Sequence, residues 1–190
     1  MKFEIFQVDA FTSKTFGSSP AAVVQRPKAK VRLARPADSP EISRVLCDAF
    51  AVIREHYTAE AFSAVTPPTE KIVERFAEGP MWVAELDAEI VGTVSLTTEP
   101  EGLYVRSMAV LPTVQKLGVG RMLLDALHKH ATGTGIERIF LYTLPFQSGA
   151  RALYEKHGYR WVRDTSAEEW YGVPGLEMEK LLGKENAAGS

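Results

Sequence analysis

Residues 107–131 constrain this chain more than any other stretch. They read S-M-A-V-L-P-T-V-Q-K-L-G-V-G-R-M-L-L-D-A-L-H-K-H-A. An apolar run ends at Pro112, and a short polar link leads to Gln115-Lys116-Leu117-Gly118-Val119-Gly120. Leu124, Leu127 and Ala131 then recur at i, i+3 and i+7, the spacing of one helix face. A strand that feeds a glycine loop into a helix N-terminus makes an anion site. The first helical N–H groups lack intrahelical partners, and the helix dipole adds partial positive charge. Gly118 and Gly120 let an anion approach the backbone without meeting a Cβ. Arg121 puts a cation in the first turn, where the dipole disfavours it unless an anion binds beside it. A dinucleotide fingerprint would need a small residue at position 123, where Leu123 stands, and a P-loop would need G-K-S/T after the second glycine.

The length of 190 residues suits one domain with a well-formed core. A formal net charge of −2 gives no global basic field, so neither nucleic acid nor an anionic membrane is expected as a partner. No apolar run approaches the ~20 residues that span a bilayer. The N-terminus shows no basic region followed by an apolar one, so the expected location is cytoplasmic. The single Cys47 excludes an internal disulfide and falls in a helical pattern, where a small buried hydrophobe is the expected role. His56, His128, His130 and His157 lack metal-ligand spacing, and no metal is expected.

Residues 1–30 read as a strand-and-linker extension. Positions 3–8 alternate, 21–24 suggest a second short strand, and Q-R-P-K-A-K at 25–30 reads as a linker. The main domain is expected over 31–183, with a polar tail at 184–190. A short strand at 31–33 precedes a helix announced by Asp38 and Glu41, a capping-box spacing, with Ile42, Val45, Leu46, Phe50 and Ile53 on one face. Helical turns are expected over 58–65 and around Ile72 to Phe76. Strands follow at 81–86, 90–97 and 103–110, then the loop and helix described above. A strand at 139–142, a helix capped by Ser148, and strands at 159–162 and 177–181 complete the domain.

The spacing Q-x-x-G-x-G after S-M-A-V-L-P resembles the pyrophosphate motif of the GNAT (Gcn5-related N-acetyltransferase) superfamily. A second segment, Q-S-G-A-R-A-L-Y-E-K-H-G-Y at 147–159, is similar to that family's N-x-x-A-x-x-x-Y-x-x-x-G-F. The element order over roughly 31–182 matches as well. The resemblance implies an α/β (α+β) fold: a mixed, mostly antiparallel twisted sheet flanked by helices and splayed at the strand ending near Val110. Separately, V-D-A-F-T at 8–12, F-G at 16–17 and P-A-A-V at 20–23 resemble the start of the phenazine-biosynthesis isomerase family. That likeness covers some 25 residues and implies no isomerase activity, because the family's acidic catalytic residue has no counterpart here.

The GNAT resemblance implies acetyl transfer from acetyl-CoA to a primary amine in a ternary complex. Gln115, Lys116, Leu117, Gly118, Val119, Gly120 and Arg121 would cradle the pyrophosphate. Met108, Ala109 and Val110 would pair with pantetheine, with the Val110 amide as oxyanion donor. Gln147 and Ala150 would also touch the cofactor; Gln147 stands where the family often has Asn. Tyr154 takes the position of the general acid that protonates the thiolate, or is an aromatic packed beneath the thioester. Many relatives carry Glu where Arg106 stands. Arg106 either binds an anionic group of the substrate or pairs structurally on the sheet. Glu99 and Glu101 are candidate bases, acting directly or through water, or else solvated turn residues. Tyr104, Glu169, Trp170 and Tyr171 would line the acceptor site, the aromatics competing with a role at a subunit interface. The expected partner is a small-molecule amine rather than a protein, with a homodimer compatible. The alternative is a non-catalytic acyl-CoA-binding or interaction module.

Overall fold

The computed structural model describes residues 29–182. The isomerase-like stretch, its expected strands and the tail lie outside these residues. The chain runs through β1 (Lys30–Leu33), α1 (Ser39–Ala51), α2 (Ala59–Val65), α3 (Thr69–Arg75), β2 (Met81–Leu86), β3 (Glu89–Glu99) and β4 (Gly102–Val110). It continues through α4 (Val119–Ala131), β5 (Arg138–Thr143), α5 (Ser148–Lys156), β6 (Arg160–Thr165) and β7 (Gly175–Leu181). The described strands form one sheet in the order β1-β2-β3-β4-β5-β7-β6. Every pairing is antiparallel except β4 with β5. The expected sheet, mixed but mostly antiparallel and flanked by helices, is the one observed. No helix among these residues is long and apolar enough to cross a membrane.

Each sheet face buries a different helix set. The stripe Leu123, Leu124 and Leu127 of α4 is fully buried against strand residues such as Leu96, Val105 and Ile139. On the other face, Val45 and Leu46 of α1 and Ile72 of α3 pack on Met81, Val83 and Ile90. A third cluster joins Tyr57 and Ala61 to Leu144 and Val173, tying the α2 region to the end of β5 and to the loop before β7. That cluster roofs the space above β4 and β5.

The middle of the sheet is irregular, and the irregularity makes the site. Thr93 faces Ala109 and Ser95 faces Arg106, so Val94 alone opposes both Ser107 and Met108. This is a β-bulge, with Ser107 at φ 55. On the other edge, β4 pairs with β5 only at Leu103↔Ile139 and Tyr104↔Phe140. Past that point the two strands part, which is the splay expected near Val110.

Three local expectations are corrected. Asp38 precedes α1 but its side chain does not cap it. The carboxylate instead accepts from the Arg32 guanidinium at 2.7 and 2.9 Å and from the Arg35 N–H at 2.7 Å, charge-assisted bonds stronger than a neutral cap. Ser148 is the first residue of α5, not its cap; Gln147 takes that position, without a side-chain cap bond. Cys47 is exposed, because Ile42, Val45 and Leu46 already fill the buried stripe of α1.

Candidate functional site

The glycine loop has the geometry of an anion cradle. Gly118 is the N-cap of α4 at φ 84, with no side-chain cap, and Lys116 before it also has positive φ, 67. The first bond into the helix is donated by Met122 N–H to Gly118 O, 3.1 Å. The amides of Val119, Gly120 and Arg121 ahead of it have no partner within the helix. A Cβ on Gly118 would meet nothing within 4 Å, so the space over the loop is open. Gly120 is different. A Cβ there would lie 3.0 Å from Leu153 and 3.3 Å from Met108, so this glycine lets α5 and β4 approach the helix. Gln115 and Leu117 are exposed on the loop, and Arg121 makes a 3.6 Å ion pair with Asp125 one turn on.

The bulged strand supplies free backbone. Leu111 N–H donates to Val91 O at 2.9 Å, which makes Gly92 and Val110 a non-hydrogen-bonded pair. The Val110 N–H therefore points away from β3, toward the edge that β5 has left.

Below this edge lies a cavity of ≈ 910 Å³. Tyr154, Met108, Gln147 and Ala150 line it at the α5 end. Tyr154 is buried, its hydroxyl donates to Met108 Sδ at 3.7 Å, and its ring meets Tyr159 edge-on. Burial raises the Tyr154 pKa well above that of a free phenol, so the group keeps its proton at neutral pH. Gln147 Oε1 accepts from Thr143 Oγ1 at 3.2 Å, which orients its amide.

Tyr104, Arg106, Glu169, Trp170 and Tyr171 all line the same cavity. Tyr104 stacks on Phe140 at 5.3 Å, and burial pushes its pKa up to about 12. The loop carrying Trp170 and Tyr171 is held to α2 by Thr58 Oγ1, which donates to Tyr171 O at 2.7 Å. Trp170 meets Tyr57 edge-on at 6.0 Å. Glu169 is bound by Arg163 at 2.8 Å and by the Ser166 N–H at 2.7 Å. The Arg163 bond is the main reason its pKa falls to about 2. Glu99 and Glu101 are exposed at the β3–β4 turn and are not among the residues that line the cavity. Glu99 reaches Thr97 Oγ1 at 3.3 Å.

The sequence matches the Acetyltransferase (GNAT) family over residues 50–159, more than half of the chain. The chain belongs to this family. Among curated proteins it is 31% identical over 85 residues to camello of Xenopus tropicalis, named as a probable N-acetyltransferase; the match covers 43% of this chain and 39% of that protein. It is 28% identical over 133 residues to an N-acetyltransferase of Chlorobaculum tepidum, covering 70% of this chain and 76% of that one. Among solved structures, YncA of Salmonella typhimurium, described with its cofactor acetyl-CoA, superposes with a TM-score of 0.67 at 20% identity. That match covers 85% of this chain and 98% of the other, and shows a shared fold.

Within this GNAT domain, several cavity residues escaped the sequence reading. Arg75 ends α3 and looks from sequence like an ordinary cation in a last helical turn. Its guanidinium donates to Ser107 Oγ at 3.0 Å and to Ala64 O at 3.3 Å. Ser107 carries no local sequence signal for its place here, because a bulge depends on the register of the partner strand. Tyr57, Glu60 and Glu168 also line the cavity from the α2 region and the late loop. Arg106 pairs with Glu78, but at angles that make no hydrogen bond, and its buried Nε is without a partner among the described residues.

Proposed function

We propose that this protein transfers an acetyl group from acetyl-CoA to the primary amine of a small anionic molecule, by direct attack in a ternary complex. The observation that carries the reading is the buried Tyr154 hydroxyl in the cavity wall, bonded to Met108 on the same bulged strand that carries the outward Val110 N–H and leads to the open amides at the head of α4. Residues 115–121 would hold the pyrophosphate through backbone N–H groups, with Arg121 and Lys116 adding charge. Met108, Ala109 and Val110 would take the pantetheine arm as an added strand, beside Gln147 and Ala150. Acetyl-CoA supplies the thioester.

The amine nitrogen forms a bond to the carbonyl carbon, and the carbon–sulfur bond breaks. The Val110 N–H donates to the oxygen as it gains charge, an interaction typically worth ~3–4 kcal/mol. Tyr154 gives its proton to the departing thiolate and regains one from the nitrogen. The ammonium must first lose a proton, and since Glu99 and Glu101 stand outside the cavity wall, their part as bases runs through water. Tyr104, Trp170 and Tyr171 would enclose the acceptor. Glu169, its charge already met by Arg163, would act there as a fixed wall. The family relationship supports the reaction class. Arg106 in the wall supports an anionic substrate and a small molecule over a protein.

Thiol release from acetyl-CoA across a panel of amines tests the reading. Tyr154→Phe should lower kcat about 100-fold with acetyl-CoA binding retained. Wild-type kcat in that variant at every pH would remove Tyr154 from the chemistry. Acetyl-CoA binding without thiol release on any amine would favour a binding module instead.

A further inference from the structure

We infer that Arg75 and Arg106 together form a carboxylate subsite, and that the acceptor is an α-amino acid with an apolar side chain. The inference rests on the acetyl-transfer reading and names its substrate class. The two guanidiniums come from different elements, α3 and β4, and both line the cavity. Arg75 is held by two neutral acceptors, Ser107 Oγ and Ala64 O. Those bonds fix its direction and bring no negative charge to it. Glu78 is the single carboxylate in an ion pair with either arginine among the described residues, and it is 47% exposed. The other acidic groups in the wall, Glu60, Glu168 and Glu169, pair with neither. Two partly buried cations therefore share one exposed carboxylate. An oxyanion entering between them would supply the missing charge and take charge-assisted bonds.

The subsite lies beside the proposed chemistry. Ser107, which Arg75 holds, is the chain neighbour of Met108, whose sulfur receives the Tyr154 hydroxyl. Arg75, Arg106, Met108 and Tyr154 line one cavity, so a carboxylate on the arginines leaves the amine of an α-amino acid in the space that Tyr154 also borders. The same wall offers apolar surface on which a side chain would rest: Phe50, Tyr57, Val65, Leu144, Trp170 and Val173.

The test compares matched pairs: L-leucine with isoamylamine, L-methionine with 3-(methylthio)propylamine, and L-phenylalanine with phenethylamine. The wild-type enzyme should favour at least one amino acid over its decarboxylated partner by about tenfold or more in kcat/KM. Arg75→Gln and Arg106→Gln should collapse that preference, mainly through KM, while Lys71→Gln on the exposed side of α3 keeps it. Equal use of both members of every pair, or a preference that survives both arginine variants, overturns the subsite and leaves acetyl transfer standing. Calorimetry with the three N-acetyl amino acids on the CoA-saturated protein separates the two readings from the other side. Arg75-dependent binding in a protein that discharges acetyl-CoA to no amine would keep the subsite and remove the transfer reaction. Absence of such binding overturns the subsite.

Discussion

Asp38 shows how a residue can be recognised from sequence and its role still missed. The spacing to Glu41 marked it as a helix cap, and it does stand at the N-cap of α1. What spacing could not reveal is that β1 brings Arg32 alongside, at 2.7 Å. The Arg32 hydrogen bond is the largest cause that lowers the Asp38 pKa in the folded state. The sign follows: the stabilisation is complete above the unfolded carboxylate pKa near 4 and is lost as pH falls through the lowered folded value. Asp38→Asn should cost about 1–3 kcal/mol at pH 7 and flatten the acid limb of the stability curve. Urea unfolding at pH 7 and pH 3 measures both; an unchanged acid limb would deny Asp38 this role. The same limit governed the site residues. The places of Tyr154 in the cavity wall and of Gly118 at the head of α4 were legible because each sits in a local motif. Arg75 was not, because its meaning comes from Ser107, 32 positions away.

At the scale of elements, the helices and strands were legible because their burial has a short period. The α4 stripe repeats every three to four residues, and the hairpin turn Asp87-Ala88 appears where positive φ at both positions, 50 and 68, suits a tight turn. The Ser107 bulge had no such period to follow. Seating α4 against the sheet depends on Gly92. A Cβ at that position would lie 3.1 Å from Ala109 O and from Leu123, and 3.2 Å from Val119 in the first turn of α4. Gly92→Val should therefore cost about 1–3 kcal/mol and weaken acetyl-CoA binding, because the displaced helix carries the cradle amides. Leu46→Ala, on the opposite sheet face, should cost about 2–5 kcal/mol with binding kept. Thermal unfolding with calorimetry on both variants checks this pairing. Equal loss of binding in the two would mean that general destabilisation, not the seat of α4, governs the cradle.

At the scale of the whole molecule, strand order and the parting of β4 from β5 turn separate motifs into one site. The loop before α4 and the helix α5 lie more than 25 residues apart in sequence. They converge because Gly120 admits the side chains of Leu153 and Met108 to close range. The two motifs and their order implied this arrangement in outline, through the family. The cavity wall assembled from α2, α3, β4 and the loop before β7 was only half legible, since its parts share no local pattern. The central claim is that the site at the head of α4 binds acetyl-CoA through backbone amides, and titration calorimetry of wild type and Gly118→Glu tests it most directly. Micromolar binding by the wild type, abolished by a carboxylate placed in that open space, is the predicted result. Binding that survives Gly118→Glu unchanged, or no binding by the intact chain, would contradict the account.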